Sequence, residues 1–168
     1  MGNVDRAARL IAEVRAAGVD EVCVCAGSRN APLLAVLGAS DARLFSFVDE
    51  RSAAFFAIGR SKQHGRPVAV VTTSGTAVAE LLPAAIEAHY SGIPLVLISA
   101  DRPARFRGTG APQSIEQEGI FGVYAETALE TWTKTRPLHL NIEFDEPLMD
   151  EPLMDEPLMD EPVVVSRL

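Results

Sequence analysis

Only two cysteines occur in the 168 residues, and both fall in the stretch Glu-Val-Cys-Val-Cys at positions 21–25. On a strand, residues two apart share one face, which is poor geometry for a disulfide within that strand. No histidine or further cysteine lies near them at metal-ligand spacing, so they read as small core residues. The three histidines, His64, His89 and His139, are scattered, which argues against a zinc site. No Gly-x-Ser-x-Gly, no Gly-x-Gly-x-x-Gly and no phosphate-binding loop with its lysine occurs. No apolar run reaches the length of a membrane span. The N-terminal stretch MGNVDRAARLIAEV mixes charged and apolar residues at helical spacing, unlike a signal peptide, and Arg6 stands where a myristoylation motif has Ser or Thr. These absences read as a cytoplasmic protein with no membrane anchor.

Charge of one sign is also scarce once its location is considered. The formal net charge is −8, but the segment 145–161 holds eight acidic residues and no basic one. The remainder balances 15 acidic against 15 basic residues, so charge predicts no nucleic-acid partner and no anionic membrane.

What the sequence does have is alternation. Hydrophobic residues make up 48% and charged residues 23%, a profile that suits one folded domain with an apolar core. VDRAARLIAEVRAAG has helical spacing and a glycine stop. DEVCVCAG, RLFSFVD, RPVAVVTT and IPLVLISAD read as strands, separated by the helical stretches PLLAVLGAS, ERSAAFFAIGRSKQHG and SGTAVAELLPAAIEAHYSG, the last with a kink at Pro83. A short helix is predicted within SIEQEGIFGVYAE, and RPLHLNIEF reads as a last strand. The fold class is α/β, a parallel sheet flanked by helices. The domain spans residues 1–144. Residues 145–168 form an acidic tail in which Asp-Glu-Pro-Leu-Met occurs three times in tandem, followed by Asp-Glu-Pro. Proline in every five-residue unit suits neither helix nor central strand, so the tail reads as extended and carries no assigned chemistry.

In such sheets ligands bind beyond the carboxyl ends of the strands. Ser28 and Arg29, in GSRNAP, suit a carboxylate or phosphate, although a turn with a capping serine and a solvated arginine uses the same residues. Thr73 and Ser74, in TTSGTA, let a flat ring approach the backbone, or simply cap a helix. Arg102, Arg105, Arg107 and Gln113 follow the fourth strand, as an anion site or as a solvated loop. Glu50 opens a helix, where a carboxylate gains about 0.3–1 kcal/mol from the dipole without any catalytic role.

Taken in order, AGSRNAPL, FVDERSAAFFAIG, TTSGTAVAELLPA, SADRP and GTGAPQSIEQEGIFG resemble the pyrimidine-binding domain of thiamine-diphosphate enzymes. The similarity runs from about residue 5 to 125 and resumes at PLHLNIEFDEPL. Within that family the motifs are most similar to the carboligases of menaquinone biosynthesis, which decarboxylate 2-oxoglutarate and add the product to isochorismate. The resemblance implies that Glu50 is the catalytic carboxyl, sharing a proton with N1′ of the aminopyrimidine so that the 4′-imino group can deprotonate the thiazolium. It implies that Thr73 and Ser74 pack beside the pyrimidine, and that Ser28, Arg29, Arg102 and Gln113 line the isochorismate site. Thiamine diphosphate and Mg²⁺ are the implied cofactors, with a homodimer or higher homo-oligomer as the assembly. Two departures are visible: Glu80 replaces the family's usual asparagine, and a helix-plus-linker before Thr131 is missing. No Gly-Asp-Gly…Asn motif occurs, so no metal ligand is assigned, and the diphosphate site is expected on a domain that this chain lacks. The expectation is half of an active site, inactive alone. The alternative is a non-catalytic binding or dimerisation module with the same fold; a generic nucleotide-binding domain is disfavoured by the missing glycine-rich phosphate loop.

Overall fold

A computed structural model describes residues 1–149. Five parallel strands, β1 (Glu21–Cys25), β2 (Arg43–Phe47), β3 (Val68–Thr72), β4 (Leu95–Asp101) and β5 (Leu138–Glu143), form one sheet in the order β2-β1-β3-β4-β5. β1, β3 and β4 are buried along their whole length, which is why their sequences run apolar without alternation. β2 is an exposed edge.

Helices cover both faces. α1 (Asn3–Ala16) buries Ala7, Ile11 and Val14, one helical stripe, and with Leu33 and Leu37 of α2 (Ala31–Gly38) it packs on Val22, Val24, Ala69, Val71, Val96 and Ile98. α3 (Glu50–His64) and α5 (Leu82–Tyr90) pack their alanines on Cys23, Cys25, Val68, Val70, Leu95 and Leu97 of the opposite face. The cysteines are thus free, buried core residues. The single helix expected after β3 is two: α4 (Thr76–Ala79) stops before Leu82, and Pro83 sits in the first turn of α5. Proline has no N–H to lose there, so the chain restarts a helix rather than kinking one. The short helix expected before residue 125 is a single 3-10 turn, Gly122–Tyr124. Residues 102–137 between β4 and β5 contain no α-helix, only 3-10 turns at Ala104–Phe106, Gly122–Tyr124 and Leu129–Thr131. Buried Phe121 and Trp132 anchor this connection to opposite faces. Among the described residues, no helix is long and apolar enough to cross a membrane.

The tail expected from residue 145 is held against the body at its start. Asp145 pairs with Arg105, and Glu146 pairs with Arg29 at 2.9 Å. The rest of the repeat lies outside the described residues.

At the amino end of β1, Glu21 is 8% exposed. Arg60 of α3 donates to it from Nε at 2.8 Å and from Nη2, and His64 Nε2 lies 3.3 Å away. The Arg60 hydrogen bond, opposed by burial and helped by His64, pulls the Glu21 carboxyl from its ordinary 4.5 to about 2. The folded state therefore binds its proton less readily than the unfolded chain, and the resulting stability is complete above pH 4.5 and lost as pH falls through about 2. That shift corresponds to at most about 3 kcal/mol. Urea unfolding from pH 7 to pH 2 should show the stability gap between wild type and Glu21→Gln closing across this window; a gap independent of pH would contradict the linkage.

Candidate functional site

The strand order reverses between β1 and β3, so the loops leaving these two strands part and open a crevice at their carboxyl ends. Asp49 is the N-cap of α3, its carboxylate accepting from the Ser52 N–H at 2.6 Å. Because Asp49 does the capping, Glu50 is left to point elsewhere. Glu50 is half-buried, and among the described residues its carboxyl takes one long bond, from Thr72 Oγ1 at 3.5 Å at the tip of β3. The Cys25 thiol is close enough that the Glu50 and Asp49 charges add to burial in raising it to about 12, so it stays neutral.

Thr73 and Ser74 are buried in the turn after β3. Gly27, in the loop after β1, touches this turn directly. A Cβ at Gly27 would lie 2.6 Å from Thr73 Cβ. Asn30 holds the loop in place: its Oδ1 accepts from the Gly27 N–H at 2.9 Å and its Nδ2 donates to the Cys25 carbonyl at 2.9 Å. Asn30 is the N-cap residue of α2, yet its side chain is spent on the loop. Ser28 is exposed at the loop's crest.

Gln113 reaches the same turn from the β4–β5 connection. Its Nε2 donates to the Ser74 carbonyl at 3.4 Å, and its Cα lies only 3.0 Å from where a Cβ on Gly75 would stand. Gly75 has φ of 85°, so both conformation and space require glycine there. Arg102 donates to the carbonyl of Pro112, the residue before Gln113, at 2.8 Å and sits over the Phe106 ring, engaged with its own loop. Arg107 is tied to Asp101, Glu118 and Glu143. Glu80 is exposed, just past the end of α4.

Arg29 departs from the solvated reading. It is 6% exposed, donates to the Phe144 carbonyl at 3.0 Å, and pairs with Glu146. Its Nε is buried without a hydrogen-bond partner among the described residues. The structure thus brings Glu50, Thr73, Ser74 and Gln113 to the tips of β2 and β3 with Ser28 close by, while the Arg29 guanidinium faces the end of β5.

Three participants went unmarked in the sequence. Asn30 carried a signal, an asparagine three residues after glycine at a strand-to-helix junction. Thr72 sits one position before the turn that was singled out. Gln117 carried none: it is fully buried, accepts from the Gly75 N–H at 2.8 Å, and donates to the Ala100 carbonyl and Asn141 Oδ1. Asn141 donates to Asp101 and accepts from Ser99, so the Ser99 hydroxyl proton is committed and Ser99 accepts from His139 Nε2 at 2.7 Å. Burial lowers His139 to about 4, and the ring is neutral. A cavity of about 370 Å³ lies beside this network, lined by Glu118, Gly119, Thr127, His139 and Asn141 and by none of the predicted site residues.

The contact between Gly27 and Thr73 gives a direct test. Thr73 Cβ is fixed to the backbone, so no rotamer change makes room for a new methyl group. Gly27→Ala should lower stability by about 1–3 kcal/mol, read as the shift in a urea midpoint; an unchanged midpoint would show that the two strand tips are not in contact.

Comparison with known proteins agrees with this architecture. Residues 5–132 match the family described as thiamine pyrophosphate enzyme, N-terminal TPP binding domain. A 2-succinyl-5-enolpyruvyl-6-hydroxy-3-cyclohexene-1-carboxylate synthase of Bdellovibrio bacteriovorus is 48% identical over 163 residues, covering 89% of this chain and 31% of the relative. Synthases of the same name from Akkermansia muciniphila and Corynebacterium diphtheriae are 50% and 49% identical, covering 82% and 84% of this chain and 28% and 30% of their own lengths. The chain thus spans less than a third of each of these curated relatives. With most of its length matched, this chain belongs to the thiamine pyrophosphate enzymes, as their N-terminal TPP-binding domain.

Proposed function

We propose that this chain supplies the pyrimidine side of a thiamine-diphosphate-dependent carboligase, one that decarboxylates 2-oxoglutarate and adds the product to isochorismate. The observation that carries the reading is the placement of Glu50. It is half-buried at a strand tip, its helix is capped by its neighbour, and its carboxyl takes a single long bond among the described residues. The residues present fit an aminopyrimidine: a carboxyl with spare capacity stands near a turn of small, hydroxyl-bearing residues.

When bound, thiamine diphosphate supplies the nucleophilic carbon that adds to a 2-oxo acid. The work of this chain is to orient the ring and hold a proton. Glu50 shares that proton with the ring nitrogen N1′, and partial exclusion of water strengthens the bond. Thr73 and Ser74 pack beside the ring. Ser28, Arg102 and Gln113, around the crevice, meet substrate hydroxyl and carboxylate groups, and Arg29 adds positive charge behind them. Mg²⁺ and the diphosphate are held by residues outside this chain, and the working enzyme is a homo-oligomer in which two chains complete one site.

Two measurements test this. Thiamine diphosphate with Mg²⁺ is titrated calorimetrically into the chain and into Glu50→Gln, and the same substitution is assayed in the enzyme that contains this domain. Glutamine can accept or donate a hydrogen bond but cannot exchange the proton. Turnover should fall on the order of 10²–10⁴-fold. Unchanged turnover would refute the catalytic role of Glu50, and cofactor binding by the chain that Glu50→Gln leaves unweakened would refute its contact with the ring.

A further inference from the structure

The cavity beside β5 is separate from the crevice at the tips of β2 and β3. Its lining residues differ in exposure. Glu118, Gly119 and Thr127, from the β4–β5 connection, are exposed and form its mouth. His139 and Asn141, on β5, are more enclosed and form its floor. Its volume of about 370 Å³ is on the scale of a small-molecule site.

The floor is polarised in one direction. Asp101 is 1% exposed, and a carboxylate only accepts. Asn141 Nδ2 donates to it at 2.9 Å, the Ser99 hydroxyl donates to Asn141 Oδ1 at 2.7 Å, and His139 Nε2 donates to Ser99 at 2.7 Å. The ring proton is therefore on Nε2. Burial keeps the ring neutral, so Nδ1 is an acceptor. His139 is only 3% exposed, yet its Nδ1 takes no hydrogen bond among the described residues. Phe121 packs against the ring, with centroids 4.6 Å apart and planes at 79°. The ring cannot turn over without giving up Ser99. Since it lines the cavity, Nδ1 is the polar edge it can offer there, and an occupant must donate to it.

The mouth adds charge. Residues 113–131 include Glu116, Glu118, Glu126 and Glu130 and no lysine or arginine. Arg107 is shared by Asp101, Glu118 and Glu143 at 3.4, 3.6 and 3.1 Å, so three carboxylates face one guanidinium. The Glu118 contact is too long for a hydrogen bond, which leaves its carboxylate open to a donor. Water can donate to Nδ1, but it does not answer the excess of negative charge. A metal ion finds no group of three His, Cys, Asp or Glu ligands among the described residues.

We propose that this cavity is a binding site for a small organic ammonium compound, which donates N–H groups to His139 Nδ1 and to the Glu118 carboxylate. The Thr127 hydroxyl is a third acceptor in the lining, and a primary ammonium has three donors. None of these residues belongs to the proposed catalytic machinery, so the inference stands whether or not that function holds.

The test titrates the full 168-residue chain, labelled with nitrogen-15, with benzylammonium, benzyltrimethylammonium, benzyl alcohol and benzoate at neutral pH, followed by NMR. Benzylammonium should move the His139 Nδ1 resonance and the Glu118, Gly119 and Thr127 amides together in one saturable transition. Its affinity should exceed that of the other three by about tenfold, because it alone combines charge with N–H donors. Glu118→Gln, at an exposed position where folding is not at stake, should lower that affinity about tenfold. Glu116→Gln, outside the lining, should change it by less than about twofold, since screening weakens a more distant charge. Absence of a saturable shift at His139 would overturn the proposal and leave the cavity to water. So would benzyltrimethylammonium or benzoate binding as tightly as benzylammonium, or equal losses in the two glutamate variants.

Discussion

Between β1 and β3 the sheet reverses its order, and the backbone at Gly27 presses on Thr73 where the two strands end. The rest of the site depends on that contact. It brings the turn after β3 against the loop after β1, and so fixes the distance between Ser28 on one side and Ser74 on the other. It leaves no space for a side chain at Gly27, and Asn30 then secures the loop through bonds at both ends. A second close approach, Gly75 against Gln113, seats the β4–β5 connection on the same turn. Two glycines thus let three chain segments converge on one turn.

Convergence alone does not make a carboxyl useful. Acidic residues at the start of a helix are usually explained by the dipole and by capping. Here the two neighbouring acids divide the labour. Asp49 accepts the Ser52 N–H at the helix end; among the described residues Glu50 has only the distant Thr72 hydroxyl. The Asp-Glu pair in sequence admits either explanation for either residue. Geometry separates them, because the N-cap position lies on the strand side of the junction and the next residue turns over the tip of β3.

The architecture was legible because its signals are local. Apolar runs of strand length bounded by glycine and polar turns, alternating with helical stripes, specify a parallel sheet without knowledge of any contact. The misreadings share a cause. A helix across Pro83 looked continuous because the apolar spacing continues through it, yet proline is equally at home in a first turn. The solvated alternative for Arg29 stayed open in the sequence because its partners, Phe144 and Glu146, lie 115 and 117 residues away. Gln117 was invisible for the same reason: its value is in joining Gly75, Ala100 and Asn141, which only the folded chain brings together.

The position of Arg29 constrains how any anion can use it. Its guanidinium is nearly enclosed, and among the described residues one nitrogen has no partner and a single carboxylate balances its charge. Removing Glu146 with nothing in return would leave a buried cation unpaired, which typically costs several kcal/mol. Exchanging Glu146 for another carboxylate avoids that penalty, because the charge and the hydrogen bonds are replaced in kind. A substrate carboxylate and the Glu146 carboxylate would present the same group to this arginine. Under the proposed function, a free ligand must bring binding energy from elsewhere in the crevice, from Ser28, Arg102 or Gln113, to displace Glu146 from Arg29.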